Sequence, residues 1–263
     1  MNSSRREQIR ELLCNRPFIS FDELHEMFPG VSNMTLRRDI EYFEEQSEAI
    51  KVRGGARSMK FITTCMEGKF SLRMNENTPA KQKIASVALS LIETERSVFL
   101  DSGTTIFQLA ATMPDERLVV TTTGPNIALE LIKKKLPIVN LVGGMLNRDS
   151  ISVSGNNATK FLADINIDVA FIVPSGASAE TGFTCGNYAE CEFKRQVIEK
   201  ARRTIILADH SKFGRTLPYT FAEFGMVDTI ITDRAVSGDI ADAAKRAGTQ
   251  IIAADTVSYT HLR

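Results

Sequence analysis

The chain has no tryptophan and only three histidines in 263 residues, and its 32 lysines and arginines are balanced by 32 aspartates and glutamates. The lack of tryptophan argues against an aromatic-rich carbohydrate cleft. No apolar run approaches the ~18 residues that a membrane span needs. The polar start, Met1-Asn2-Ser3-Ser4, has no apolar signal-peptide core. We therefore expect a cytoplasmic protein without a membrane segment.

Cysteine is also scarce. The four cysteines are scattered and form no C-x-x-C pair: they are Cys14, Cys65, Cys185 and Cys191. No histidine cluster accompanies them. This pattern predicts unpaired thiols in a reducing compartment, with no structural zinc and no other metal or cofactor.

A basic excess, which many DNA-binding proteins carry, is absent as well. Residues 1–60 contain 10 basic and 10 acidic residues, so the N-terminal segment is neutral too. The charges are nevertheless segregated, because Arg37 and Arg38 are the only charges in residues 33–38, and residues 49–60 carry four basic residues and no acid. A positive edge on a neutral body is compatible with phosphate contact.

The first forty residues carry three helix patterns. Arg5–Asn15 has apolar residues at helical spacing. Ser20 followed by Glu23 has the spacing of a capping box that opens a second helix, and Pro29-Gly30 ends it. Ser32 then caps a third helix whose apolar face includes Met34 and Leu36. The order helix, tight turn, helix is typical of a DNA-binding motif.

In such a motif the start of the second helix enters the major groove. Residues 49–57 then predict a strand, a Gly-Gly turn and a basic exit, which together would form a wing. The candidate DNA-contacting residues are Ser32, Asn33, Met34, Thr35, Arg37, Arg38, Arg53 and Gly54. The alternative is a three-helix interaction module whose two arginines are solvated. We favour DNA because the helix dipole disfavours arginines near a helix N-terminus, so their presence indicates an external anion.

The segment Val31–Ile40, VSNMTLRRDI, resembles the signature V-S-x-x-T-[IL]-R-R-D-[LI] of the DeoR family of repressors. The Gly-Gly-Ala sequence after the wing is also similar. Two departures are a turn at Pro29-Gly30 that is about one residue longer than the commonest form, and Arg53 where the family often has histidine. The resemblance implies a winged helix-turn-helix that binds operator double-stranded DNA.

From Lys81 onward, apolar strands alternate with amphipathic helices, which predicts an α/β domain with a mainly parallel sheet covered on both faces. We expect a DNA-binding domain in residues 1–57, a linker and the start of the next domain in 58–80, and a sensor domain in 81–256. The predicted strands are 97–100, 118–121, 137–142, 169–173, 204–208, 229–232 and 250–252. The predicted helices are 83–93, 105–111, 125–134, 157–162, 188–200 and 239–247.

Ligands in such folds bind at the carboxyl ends of the strands. The loop after the first strand contains Ser102, Gly103, Thr104 and Thr105, whose hydroxyls and N–H groups suit a phosphate at a helix N-terminus. Asp101 would repel phosphate, so it should accept a hydrogen bond from a sugar hydroxyl or brace the loop. An ordinary capped strand-to-helix turn explains the loop equally well.

Further candidates follow the other strands. Small or polar residues at the strand ends are Thr122, Thr123, Gly143, Gly144 and Gly176, and the glycines would let backbone approach a ligand closely. Lys194 or Lys212 could neutralise a phosphate, although Lys194 also fits an exposed helix lysine. A lone histidine such as His210, without a partner carboxylate, is more often structural or solvated.

The order of motifs D-S-G-T-T, T-T-T-G-P-N-I-A, G-G and A-D-H-S-K-F-G resembles the DeoR-type sensor domain over residues 75–235. That sensor is similar in fold to ribose-5-phosphate isomerase and the CoA transferases. The resemblance implies a repressor whose effector is a phosphorylated sugar or related metabolite. The stretch Val173-Pro174-Ser175-Gly176 departs from the more usual glycine-rich sequence.

The sequence thus predicts a ligand-responsive repressor that acts as a homo-oligomer, a dimer or a tetramer, because symmetric oligomers usually read operators. One alternative is a sugar-phosphate isomerase-like enzyme with an accessory N-terminal domain, for which Asp101, Glu192 and Lys194 are the attractive acid–base candidates. The other is a protein-interaction adaptor. Residues 257–263 resemble a translated sequencing adapter, and we expect them to be a non-native tail.

Overall fold

The computed structural model describes residues 2–16, 18–46, 48–58, 68–236 and 238–256. The chain divides into two compact units, Met1–Met66 and Glu67–Arg263. The segment 257–263, interpreted above as a non-native tail, lies outside the described residues. No helix among the described residues combines the length and the apolar character of a membrane span.

The first unit contains a three-stranded antiparallel sheet, in the order β1-β3-β2, with three helices. Its elements are α1 (Asn2–Asn15), β1 (Phe18–Ser20), α2 (Phe21–Met27), α3 (Asn33–Glu45), β2 (Ala49–Val52) and β3 (Gly55–Ser58). Leu24, Leu36, Ile40 and Phe43 are fully buried and form its core with residues of α1. The predicted helices and wing are therefore present. Met34 is an exception, because it is 65% exposed rather than part of the core.

Side-chain caps fix where the helices of this unit begin. The Ser20 hydroxyl accepts a hydrogen bond from the Glu23 N–H at 3.0 Å, and the Glu23 carboxylate accepts one from the Ser20 N–H at 3.0 Å. This is the predicted capping box, and it satisfies two donors that a helix N-terminus otherwise leaves open. Ser32 caps α3 in the same way, through the Thr35 N–H.

Asp39 joins α3 to α1. Its carboxylate is buried and accepts hydrogen bonds from Arg5 at 2.6 Å and from Arg6 at 2.8 Å. Two guanidinium groups thus neutralise one buried carboxylate, as burial of a charge requires. Asp39 therefore positions α3 against α1. Arg37 and Arg38, just before it in the chain, are exposed instead.

The second unit is built around a seven-stranded parallel sheet in the order β15-β14-β12-β9-β4-β5-β6. These strands are β4 (Ser97–Leu100), β5 (Val119–Thr122), β6 (Ile138–Leu141), β9 (Ile167–Ile172), β12 (Ala201–Leu207), β14 (Thr229–Thr232) and β15 (Gln250–Ala253). The short strands are β7 (Met145–Asn147), β8 (Ser152–Ser154), β10 (Gly176–Ser178), β11 (Gly182–Cys185) and β13 (Tyr219–Ala222). The mainly parallel α/β sheet is confirmed.

Helices lie on both faces of this sheet. They are α4 (Phe70–Asn75), α5 (Thr78–Leu89), α6 (Thr104–Thr112), α7 (Pro125–Leu131), α8 (Asn156–Leu162), α9 (Tyr188–Lys200) and α10 (Asp239–Ala247). Alternation along β4 divides its side chains between the two cores: Phe99 packs against Phe193 of α9, whereas Val98 and Leu100 join the core on the face of α5 and α6. This is the period-two pattern of a strand buried on both faces.

Three features differ from the predictions. The helix predicted to begin at Lys83 begins at Thr78, because Asn77 adopts a left-handed backbone (φ 51°) and Pro79 occupies the first turn. A further helix, α4, lies within residues 58–80, for which a linker and the start of the next domain were predicted. The pairs β7-β8 and β10-β11-β13 are antiparallel additions that were not predicted. These strands lie in the connections between the alternating strands and helices, so the alternation did not indicate them.

Candidate functional site

The exposed start of α3 presents most of the predicted DNA-contacting side chains. Asn33, Met34, Arg37 and Arg38 are exposed, whereas Leu36 faces the core. Among the described residues, no carboxylate lies within 4.0 Å of the Arg37 or Arg38 guanidinium, although three arginines of α1 are all paired in this way. The start of α3 therefore carries two positive charges that no salt bridge among the described residues neutralises, although Glu41, which pairs with Lys51, acts on both at longer range.

The polar residues at this end of α3 partly bond to one another. The hydroxyls of Ser32 and Thr35 are 2.9 Å apart, and Ser32 also caps the helix. The wing turn consists of Arg53, which is exposed, and Gly54, whose φ of +88° lies in the left-handed region that favours glycine. Ser32 and Thr35 therefore already stabilise the start of α3, and any contact with a phosphate would be an additional role.

Asp101, at the end of β4, braces the loop that follows. One carboxylate oxygen accepts a hydrogen bond from the Ser102 N–H at 2.8 Å, and the other accepts one from the Val173 N–H at 3.0 Å. Gly103 allows the close approach of this loop to β9, because its φ is +131° and a Cβ there would lie 2.8 Å from the Val173 side chain. Of the two roles predicted for Asp101, bracing is the one that its contacts provide.

Lys194 of α9 is buried beneath this loop, so the interpretation as an exposed helix lysine is wrong. Its ammonium lies 3.0 Å from the Asp101 carboxylate and 2.9 Å from the Glu190 carboxylate, and it donates to the Val173 carbonyl at 2.6 Å. Burial raises the pKa of Asp101, while the Lys194 ammonium and the two N–H donors oppose that effect. Glu190 was not predicted, although its spacing of four residues from Lys194 was a usable signal.

The hydroxyl-bearing residues of the loop are buried but not used internally. Ser102, Thr104 and Thr105 are each at most 5% exposed. No hydrogen bond within the described residues engages their hydroxyls, and no side chain caps α6. The first N–H groups of a helix have no partner within the helix. The start of α6 therefore offers several donors and a favourable dipole to an anion.

The neighbouring strand ends in a similar way. Thr122 and Thr123 are buried at the end of β5, and the Thr122 hydroxyl accepts a hydrogen bond from the Gly124 N–H at 3.0 Å. Both side-chain polar atoms of Asn126, in the first turn of α7, are inaccessible to solvent and have no hydrogen-bond partner among the described residues. Asn126 was not among the predicted site residues, and its unmet polar atoms distinguish it from an ordinary capping residue.

A second group of charges lies at the end of β12. Lys81 of α5 is buried, and its ammonium donates to the carbonyls of Glu76, at 2.6 Å, and Arg73. Burial lowers the pKa of Lys81 to about 8, against an opposing effect of Asp209. Sequence reasoning missed Lys81, because a lysine on an amphipathic helix is usually exposed.

Asp209 lies in the electrostatic field of both Lys81 and the predicted residue Lys212. Its Oδ1 accepts hydrogen bonds from the Asn77 amide at 3.3 Å and the Ser211 N–H at 3.0 Å, while its buried Oδ2 has no hydrogen-bond partner among the described residues. Burial acts to raise the pKa of Asp209, but Lys212 and the Ser211 bonds outweigh it, and the pKa lies below its usual value. Two ammonium groups thus act on one carboxylate.

Two of the three predicted glycines, Gly144 and Gly176, lie close to backbone carbonyl groups of the protein itself. A Cβ on Gly176 would lie 2.6 Å from the Arg215 carbonyl oxygen, and one on Gly144 would lie 2.7 Å from the Ser154 carbonyl oxygen. Gly143 is exposed and has nothing within 4 Å of its Cβ position. The close approaches at Gly144 and Gly176 therefore have a structural explanation that needs no ligand.

Two further interpretations need correction. His210 does have a partner carboxylate, because its Nδ1 lies 2.8 Å from Asp233 and its backbone N–H donates to the same carboxylate at 2.7 Å. Cys185 and Cys191 are free and buried, and the structure brings them near each other. The Cys185 thiol donates to the Asn187 carbonyl at 3.5 Å, and the Cys191 thiol donates to the Thr220 carbonyl at 3.3 Å. The neighbouring Cys185 thiol, with burial opposing it, lowers the pKa of Cys191 to about 7.

Of the three acid–base candidates of the enzyme alternative, Asp101 and Lys194 lie together and Glu192 is separate from them. Glu192 lies on the exposed side of α9 and pairs with Arg195 at 2.7 Å. Asp101 and Lys194 neutralise each other in the buried cluster described above. Within the described residues, no group of three or more histidines, cysteines or carboxylates could hold a metal ion.

Comparison with known proteins matches both units. Residues 5–61 match the DeoR-like helix-turn-helix domain, and residues 76–234 match the DeoR C terminal sensor domain. The chain is similar to the HTH-type transcriptional repressor GlcR of Bacillus subtilis strain 168, with 33% identity over 84% of this chain and 85% of that protein. It is also similar to the Glycerol-3-phosphate regulon repressor of Escherichia coli strain K12, with 29% identity over 88% of this chain and 90% of that protein.

Among solved structures, a ribose 5-phosphate isomerase A from Methanocaldococcus jannaschii aligns with a TM-score of 0.40 and 16% identity, over 52% of this chain and 55% of that one. The family matches together span α3, the wing and the β4–α6 loop. The chain belongs to the DeoR family of DNA-binding transcriptional repressors.

Proposed function

We propose that this repressor binds operator double-stranded DNA through α3 and the wing, and that a small phosphorylated sugar or related metabolite controls its affinity for the operator. It acts in the cytoplasm as a homo-oligomer, a dimer or a tetramer. The observation that carries the proposal is the β4–α6 loop, whose buried hydroxyls and uncapped helix N-terminus have no use within the described residues. One relative is named for the glycerol-3-phosphate regulon, which is consistent with a phosphorylated metabolite.

At the DNA, α3 would read base edges and phosphates. Arg37 and Arg38 have the exposed guanidinium groups that bind guanine or phosphate in two-point contacts. Ser32, Asn33, Met34 and Thr35 lie within the first turn and would contact the same groove. Arg53 and Gly54, at the wing turn, would follow the phosphate backbone.

At the effector site, phosphate would bind to Ser102, Gly103, Thr104 and Thr105 at the start of α6, flanked by Thr122 and Thr123. The carboxyl ends of β5, β4, β9 and β12 are consecutive in the sheet, so Lys212 and Lys81 lie on the same edge as this loop. Their ammonium groups would supply counter-charge. Lys194, whose charge Asp101 and Glu190 already neutralise, would position the loop rather than touch the ligand.

The remaining effector atoms need polar partners too. The Asp209 Oδ2, which has no hydrogen-bond partner in the described part of the chain, is a buried acceptor that suits a sugar hydroxyl rather than a phosphate. Gly143 and Gly144 follow β6, at the next strand end along the sheet, and Gly176 packs beside the end of β9. Their contribution would be limited to the shape of the cleft.

Binding of the effector at the start of α6 would change the position of α4, which lies at the N-terminal side of the sensor domain. Phe70 of α4 packs edge-on against Phe107 of α6 with ring centroids 6.5 Å apart, and its N–H donates to the Asp149 carbonyl at 2.7 Å. A ligand that shifts the start of α6 would therefore act on α4. By linkage, operator DNA must weaken metabolite binding by the same factor as the metabolite weakens operator binding.

The effector half is tested by thermal denaturation of the full chain with a panel of phosphorylated sugars and glycerol phosphates. A ligand at 100 times its Kd should stabilise the protein by about 2.7 kcal/mol. Thr104→Val, which removes one loop hydroxyl at nearly constant volume, should lose this stabilisation, whereas Thr112→Val at the other end of α6 should keep it. If no phosphorylated compound stabilises the wild type, the effector proposal is wrong.

The DNA half is tested with a duplex selected from a random-sequence pool by the wild-type chain. Binding to this duplex should weaken when the stabilising metabolite is added at fixed salt. If no stabilising metabolite changes the affinity for the duplex, the protein binds DNA but the proposed control by a metabolite is wrong. Failure to select any duplex would contradict the role of α3 and the wing.

A further inference from the structure

We propose that β6, the last strand of the parallel sheet, pairs antiparallel with β6 of a second copy of this chain across a twofold axis. The proposal extends the oligomeric repressor proposed above by assigning its interface. Of the described strands, only β5 pairs with β6, so one edge of β6 is open. Unpaired strand edges attract further strands unless the protein blocks them.

The strand residues of β6 carry no charge at the open edge, and the nearest lysines and proline, Lys133–Lys135 and Pro137, lie just before the strand. Proteins block edge strands with charged residues, especially lysine, or by covering them. The strand Ile138–Leu141 contains no charged residue. Its side chains are instead apolar apart from Asn140, and Ile138 is 62% exposed and Leu141 44% exposed. An uncharged, apolar edge of this kind is typical of a strand that is covered in the working protein.

Exposed apolar side chains continue beyond the strand itself. Those on α7, β6 and β7 are Leu129, Ile132, Ile138, Leu141, Met145 and Leu146, with exposed fractions from 44% to 70%. Several exposed large apolar side chains on neighbouring elements are typical of a surface that contacts another protein.

The charges at the rim favour a second copy as the occupant. A twofold interface brings one surface against itself, so a rim of a single sign would repel its own copy. The rim beside Ile138 instead carries both signs, with Glu95, Arg117 and Lys135 around a cavity of about 490 Å³ that also contains Leu136. A mixed rim can form opposite-charge pairs with its symmetry mate.

The backbone of β6 limits the register. The N–H groups of Ile138 and Val142 bond to β5, so alternation along the strand directs those of Val139 and Leu141 to the open edge. Pairing Val139 with the partner's Leu141 uses both donors and places Asn140 opposite the partner's Asn140 on the axis. A shift by two residues in one direction would pair Leu141 with the partner's Pro137, which has no N–H to donate.

A cysteine at position 140 tests the register. Two residues that face each other at a non-hydrogen-bonded antiparallel position have Cα atoms about 4.5 Å apart, within the range that a disulfide bridges. In a Cys14→Ser, Cys65→Ser background, Asn140→Cys should form a covalent dimer on mild oxidation with oxidised glutathione. The matched control is Met226→Cys, which is also exposed but lies far along the chain and outside this face. Equal crosslinking of the two variants would overturn the proposal.

Analytical ultracentrifugation of the full chain, without DNA or metabolite, tests the interface itself. Wild type should form a dimer or a higher oligomer. Ile138→Lys and Leu141→Lys should each raise the dissociation constant at least about 30-fold, the usual threshold effect of a central interface residue, while Met226→Lys should match wild type. Because Ile138 and Leu141 are already exposed, lysine is compatible with folding, which circular dichroism would verify.

A wild-type chain that stays monomeric, or an oligomer that both lysine variants leave intact, would overturn the proposal. These experiments need neither DNA nor a metabolite. Their failure is therefore distinguishable from failure of the proposed regulatory function, which the duplex-selection and thermal-shift experiments address separately.

Discussion

The two units place their functional groups in opposite environments. At the start of α3, Arg37 and Arg38 are exposed and have no carboxylate within 4.0 Å among the described residues. At the end of β4, Asp101 and Lys194 are buried and bond to each other. A group that meets a large external partner can remain on the surface, whereas a group that shapes a small-molecule site must be held in place from within.

The difference has energetic consequences. A surface arginine can be replaced with little change in stability, so its loss should appear almost wholly in binding. A buried charge that loses its partner costs stability directly, because the remaining charge is left without solvation. Mutations in the two units should therefore have effects of different kinds, and the following predictions are ordered by the size of the expected effect.

The largest effect is expected for Lys194→Met. This change leaves the Asp101 and Glu190 carboxylates buried together without a cation, and it should lower the free energy of unfolding by about 3–5 kcal/mol. Urea denaturation at neutral pH measures it. The control is Glu192→Gln on the exposed side of the same helix, which should change stability by less than ~1 kcal/mol. Equal effects of the two changes would show that the buried cluster is not what stabilises this loop.

Arg37→Ala and Arg38→Ala should each weaken binding to the selected duplex by about 1–3 kcal/mol, or roughly 5- to 150-fold, because each removes a charged contact to base or phosphate. Their unfolding free energies should stay close to wild type. Fluorescence anisotropy at fixed salt measures the affinity. Arg202→Ala, at an exposed arginine of the second unit, is the control and should bind as wild type does. Unchanged affinity in both α3 variants would favour the interaction-module alternative.

Lys81 should make stability depend on pH in the alkaline range. Its folded pKa of about 8 is below the unfolded value of 10.5, so the unfolded chain binds more protons between these values. Stability therefore rises with pH across this window. The free energy of unfolding of wild type should increase relative to that of Lys81→Met by roughly 1–3 kcal/mol between pH 8 and 10.5. A constant difference would mean that Lys81 titrates normally in the folded protein.

The smallest effect is expected for Ser20→Ala. Loss of the capping hydroxyl should destabilise the first unit by about 1 kcal/mol, a typical cost for an N-cap serine. Thermal unfolding followed by circular dichroism measures it. Ser86→Ala provides a comparison at a serine whose hydroxyl bonds only to the preceding turn of α5, at the Gln82 carbonyl, and should change little. If Ser20→Ala left the stability unchanged, the claim that local sequence fixes the helix boundaries in this unit would be weakened.

The first unit was largely predictable because its signals are local. The capping box at Ser20 and Glu23 and the cap at Ser32 each involve residues three positions apart. The sequence pattern could not show that Arg37 and Arg38 are exposed whereas the adjacent Asp39 is buried. Asp39 pairs with arginines more than 30 residues away in the sequence, and no local spacing records that contact.

For the sensor site, the sequence predicted the loops at the strand ends but not which side chains are buried and paired there. The sequence by itself determined the alternation of strands and helices, the loop Ser102–Thr105 and the caps, because each depends on periodicity or on neighbours in the chain. Only the tertiary structure decided that Lys194 is buried, that Lys81 is buried near Asp209, and that the open edge of β6 is apolar. Burial and pairing depend on residues brought together from distant parts of the chain, and the charge of a lysine does not reveal whether water or a carboxylate will surround it.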